Sequence, residues 1–129
     1  MNEDRLYLIT NQPGFTPYMG RLVSMMNYAR ATTLHAVKDL TTQQLDFVPA
    51  GFGNSIGALL AHLAAVEMLY QVRTFEHRWL TPEEEESRGL SAALDLGKRI
   101  SELRGRDLGF YISQLETVRN TTLEKPVLT

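Results

Sequence analysis

Residues 54–70 read NSIGALLAHLAAVEMLY, an apolar helix with one imidazole, His62, near its middle. Asn54 and Ser55 can cap its start, after the turn Gly51-Phe52-Gly53. Ile56, Leu59, Leu60, Leu63, Val66 and Tyr70 recur at helical spacing, while Ala58, Ala61, Ala64, Ala65, Met68 and Leu69 make the other faces nearly as apolar. A helix apolar on almost every side belongs inside a bundle. Its histidine is either hydrogen-bonded in the core or aimed at a ligand, and spacing alone favours the first.

The rest of the chain fits that helix into an all-α domain. Upstream, residues 1–15 form an arm anchored by Leu6, Tyr7, Leu8 and Ile9, with Gln12-Pro13-Gly14 as a turn. Thr16 and Pro17 then open a helix over 16–40, whose seam is Met19, Leu22, Met26, Ala29, Thr33, Ala36 or Val37, and Leu40. His35 sits at the flank of that seam. Thr41 and Gln44 have capping-box spacing, and Leu45, Phe47 and Val48 are placed to close the bundle end.

Downstream, the central helix is expected over 54–80, with Phe75 and Trp79 on one face and His77 favoured by the dipole at its C-terminus. Thr81-Pro82 starts another helix, and Glu83–Glu86 reads as a solvated first turn. Residues 87–106 connect, punctuated by Gly89, Gly97 and Gly105. Asp107 caps a third long helix over 107–125, with Leu108, Tyr111, Leu115, Val118 and Thr122 as its buried stripe and Arg119 outside it. Pro126 ends it.

Bulk properties narrow the function classes. The 129 residues suit one domain, 1–129. A net charge of −2 and a pI near 5.9 argue against a nucleic-acid partner bound through a basic surface. With no cysteine there is no disulfide, thiolate site or cysteine nucleophile in the chain. The polar N-terminus lacks a signal-peptide pattern, and no apolar run is long enough to span a membrane, so a cytoplasmic setting is expected.

Spacing also limits metal chemistry. There is no pair of histidines or Glu-x-x-His on one turn, and His62 and Glu67 lie roughly 140° apart around a helix. On a continuous helix His77 would stand about 22 Å from His62. Ser55 lacks a nucleophile elbow, and Gly51-Phe52-Gly53 lacks the pattern of a dinucleotide loop. No catalytic residue can be named. Tyr70, Phe75 and Trp79 read more simply as core than as a ligand cage.

Residues 54–67, NSIGALLAHLAAVE, resemble the DinB-like family of four-helix bundles, also called YfiT-like metal-dependent hydrolases. Thr32-Thr33-Leu34, Asp39-Leu40-Thr41, Gln44-Leu45, Leu80-Thr81, Ala93–Gly97, Arg104-Gly105, Tyr111, Val118-Arg119 and Thr122-Leu123 are similar to the same family. The resemblance implies a DinB-like up-down bundle with a histidine triad holding a divalent metal, commonly nickel or zinc. It places one ligand at His62 and the other two on a fourth helix with no counterpart in these residues. It further implies metal-dependent hydrolase or thiol-transferase chemistry on a small-molecule or thiol substrate. Such a metal leaves one coordination position open and lowers the pKa of bound water or thiol. The expected fold is therefore three long helices with the fourth absent or replaced by a partner. Either the chain is a truncated member, or a homodimer covers its open apolar groove. The latter would make it a non-catalytic bundle.

Overall fold

Helix formation begins where side chains can satisfy free backbone donors. In the computed structural model, which describes residues 8–51 and 53–125, Ser55 accepts the Ala58 N–H at 3.0 Å and starts a helix over Ile56–Phe75. Asn54 does not share this role: its Oδ1 is buried without a protein partner. Thr41 and Gln44 close a reciprocal capping box on Thr42–Asp46, and Thr81 and Glu84 close another on Pro82–Ser87. Asp107 Oδ1 accepts the Phe110 N–H at 2.8 Å and opens Leu108–Glu124. In chain order the helices are α1 (Pro17–Ala36), α2 (Thr42–Asp46), α3 (Ile56–Phe75), α4 (Pro82–Ser87), α5 (Ser91–Leu94) and α6 (Leu108–Glu124), with a 3₁₀ turn at Ile100–Leu103 before α6. The fold is all-α, and there is no strand among the described residues. Two units are distinguished by their contacts: one runs up to Lys38 and includes Lys125, and the other is Asp39–Glu124.

In the first unit the N-terminal arm is held by polar contacts. The Thr10 N–H donates to Ser24 Oγ, whose hydroxyl donates to the Leu8 carbonyl, each at 3.2 Å. A Cβ at Gly20 would stand 2.6 Å from the Gln12 nitrogen, so only glycine lets the arm lie this close. Leu8 and Ile9, expected as anchors, are about 60% exposed, while Leu6 and Tyr7 lie outside the described residues. The arm also shifts the buried face of α1. Gly20, Val23 and Ser24 are buried, whereas Leu22 of the expected seam is exposed. Helix α1 stops at Ala36 rather than Leu40, and Asp39 follows in the left-handed region at φ 62°.

In the second unit α3 packs on α6. Contacts climb both helices together: Gly57 lies beside Tyr111, Glu67 bonds Arg119, and Gln71 bonds Thr122. The two helices therefore run parallel. Residues 76–107 form a crossover that returns the chain to the starting end, a connection known in bundles. Tyr111, Leu115 and Val118 are buried, following the expected stripe. Arg119, expected outside, is a half-buried partner of Glu67. It donates from Nε and Nη2 to the two carboxylate oxygens at 3.0 and 3.1 Å, and each side chain keeps 15% of its surface exposed. Thr122 adds a hydroxyl to Glu67 at 2.7 Å, and Gln71 donates to the Val118 carbonyl at 2.8 Å.

The buried face of α3 is its alanine face. Ala58, Ala61, Ala64 and Ala65 are buried, whereas Ile56, Leu59, Leu63 and Tyr70 share an exposed side. Only small residues fit where neighbouring backbone approaches. A Cβ at Gly57 would meet Tyr111 Oη at 2.7 Å and the Leu45 carbonyl at 3.2 Å. Helix α3 ends at Phe75, short of the expected residue 80, because His77 adopts φ 57° just past the last turn. Trp79 therefore leaves the helix. It packs edge-on against Tyr70 at 5.9 Å, under the Arg73 guanidinium, and both rings are more than half exposed rather than core. Leu45 is fully buried at the end of the unit, but Phe47 and Val48 are exposed.

Two substitutions test these constraints. Gly20→Ala should free the arm, exposing residues 8–16 to limited proteolysis, because a forced overlap of about 1–3 kcal/mol exceeds the gain of about 1 kcal/mol in helix propensity. His77→Gly should raise the stability of the second unit by about 0.5–1 kcal/mol in denaturant titration, since glycine adopts a left-handed conformation without strain.

Candidate functional site

His62 lies on α3 one residue beyond Ala61 and is half-buried. Its Nδ1 is 2.8 Å from the Ala93 carbonyl oxygen of α5. A carbonyl can only accept, so Nδ1 carries a proton, and the tautomer this contact selects is the one with its lone pair on Nε2. Histidine ligands of metals are commonly oriented through the other ring nitrogen in this way. The sequence gives no sign of this contact, because a backbone carbonyl is common to every residue type.

Other candidate ligands do not join His62. Glu67 is engaged by Arg119 and Thr122. His35 is exposed on α1, and His77 forms the left-handed stop after α3. Among the described residues no three His, Asp or Glu side chains are grouped to hold an ion. The described residues therefore do not fit a complete metal centre by themselves.

Ala93 also links His62 to a cleft of about 580 Å³ in the second unit. One wall is the alanine face of α3, one is α6 through Phe110, Ser113, Gln114 and Thr117, and the crossover closes the rest. The crossover is anchored by buried Leu80, Leu90 and Ala93. At the end of α4, the Leu90 N–H reaches the Glu85 carbonyl at 2.8 Å and the Gly89 N–H the Glu86 carbonyl at 3.0 Å. These are the two bonds of a Schellman stop, completed by Gly89 at φ 72°. They fix Arg88 and Gly89 at the cleft. Tyr111 closes its floor and donates its hydroxyl to the Leu103 carbonyl at 3.1 Å. Burial pushes the Tyr111 phenol above its ordinary pKa, and nearby Asp46 adds to the effect.

Exposed ion pairs brace the crossover. Arg78 binds Glu84 at 2.8 Å, and Arg99 binds Glu86 at 2.9 Å and also Glu102. The Arg78 guanidinium, with the Thr81 N–H, holds Glu84 down to about 2, and Arg99, with Ser91, holds Glu86 down to about 2. Arg99 likewise lowers Glu102.

These depressed carboxyls contribute stability at neutral pH that is lost as pH falls from their ordinary value of about 4.5 through about 2. Arg99→Met should flatten that acid-side decline in a pH series of thermal unfolding. Because the pairs are exposed, 0.5 M salt should reduce the difference between variant and wild type.

A family model described as the DinB superfamily matches residues 25–124 of the chain. No curated protein matches it.

Proposed function

The chain belongs to the DinB superfamily, and from that premise we propose that it is a scaffold of the metal-dependent hydrolase or thiol-transferase type with His62 as a metal-ligand position. The observation that carries this reading is the Nδ1–H bond to the Ala93 carbonyl, which leaves Nε2 as a donor atom. The remaining ligands would come from polypeptide other than the described residues. Nickel or zinc suits an imidazole donor. A small-molecule or thiol substrate in a cytoplasmic setting completes the reading.

A second reading is a non-catalytic bundle that dimerises. It is favoured by the exposed side of α3, where Ile56, Leu59, Leu63 and Tyr70 leave 38–52% of their surfaces open. Burying such side chains against a second copy contributes roughly 1.5–3 kcal/mol each when complete. No described helix is long and apolar enough to cross a membrane, which leaves this stripe without a bilayer-spanning role.

Metal analysis after equilibration with nickel or zinc separates the readings. The first expects bound metal in wild-type protein and its loss in His62→Ala, with unchanged helical content by circular dichroism. Metal-free wild-type protein would sink it. The second expects a dimer by light scattering that Leu63→Glu converts to monomer, and a wild-type monomer would contradict it.

A further inference from the structure

We infer that the cleft between α3, the crossover and α6 binds a small amphipathic organic anion, its apolar body on the alanine face and its carboxylate at Arg88 and Arg106. This stands whether or not His62 holds a metal. The volume, about 580 Å³, falls in the range of small-molecule sites. Ala61, Ala64 and Ala65 give the inner wall a shallow relief that leaves room for a flat ring or short chain. Opposite it, α6 supplies hydroxyl and amide groups from Ser113, Gln114 and Thr117.

Charge decides the class of ligand. Arg88 and Arg106 both line the cleft, and neither forms an ion pair with a described carboxylate. Glu102 is the one acid among the lining residues, and Arg99 already binds it from the crossover side. Counting Arg99 with both of its carboxylates, Glu86 and Glu102, the cleft keeps an excess of one positive charge, the complement of a single carboxylate. Both arginines are also placed. Arg88 caps α4 within the Schellman stop, and the Arg106 guanidinium lies 4.6 Å from the centre of the Phe110 ring. Stacking on a ring face leaves the in-plane N–H donors of a guanidinium available to a carboxylate. A neutral apolar ligand would use the wall alone and leave these charges unused.

The test uses the full chain with chelator present, so that metal binding plays no part. Calorimetry compares 2-naphthylacetate with 2-(2-naphthyl)ethanol, which keeps the ring and loses the charge. The carboxylate should bind at least tenfold more tightly at low ionic strength, and the margin should shrink at 0.5 M salt. Arg88→Gln with Arg106→Gln should bring the two ligands level. Both positions are exposed, and circular dichroism verifies that the variant is folded. Thr117→Trp, also at an exposed position, should fill the cleft and abolish both affinities. Equal affinity of the two ligands for wild type, carboxylate preference surviving the double substitution, or no binding at millimolar concentration would each overturn the proposal.

Discussion

The second unit depends on how closely α3 can approach its neighbours. At Gly57 the Tyr111 hydroxyl and the Leu45 carbonyl occupy the space where any other residue would place a Cβ. Ala58 beside it and Ala61 one turn on continue the same economy of size, followed by Ala64 and Ala65. Interiors pack to crystal-like density, so the small face of a helix can be the one that goes in. Leu60 and Val72 still go in with the alanines, but Ile56, Leu59 and Leu63 are left to the outer side. The same closeness brings His62 within reach of the Ala93 carbonyl and leaves, above the alanines, a cleft instead of a filled core.

Depth along the helix pair is set by a polar clamp. Glu67, Arg119, Thr122 and Gln71 meet in one half-buried cluster, and the bidentate pair at its centre has a defined geometry. Sliding α6 by one turn would strip Glu67 of three donors in a region with little water. A partly buried charge without partners is costly, so the clamp rejects neighbouring registers more strongly than the aliphatic contacts do. Apolar surface holds the helices together; the clamp selects where.

Elements governed by local chemistry were legible in the sequence. Thr41 with Gln44, Thr81 with Pro82, and Asp107 announce helix starts through local chemistry, whereas the box that Glu84 closes on Thr81 was hidden in a glutamate run that reads as a solvated face. The stripe Tyr111, Leu115 and Val118 was equally plain, because there the large residues are the buried ones. The inward side of α3 was not, since hydropathy ranks leucine above alanine while close approach reverses their order. The ends of α1 and α3 were misplaced because Asp39 and His77 turn left-handed where glycine would have been the visible signal. His62 stood out by its chemistry. Its orienting contact did not, since it is made to main chain, and the cleft charges emerge only once Arg99 is seen to occupy Glu102.

The parallel course of α3 and α6 has a consequence for how this unit is reached from the unfolded chain. Antiparallel helices can zip outward from a short turn, each contact lowering the entropy needed for the next. Here the clamp joins residues 52 apart, and the crossover must come home before any of it forms. Loop-closure entropy precedes the reward, which is the condition that slows folding in chains rich in distant contacts. The capping boxes and the Schellman stop act within a few residues, so they can order pieces of the crossover while the loop is still open. Local helix punctuation thus shortens the search for the one long-range meeting on which the unit depends.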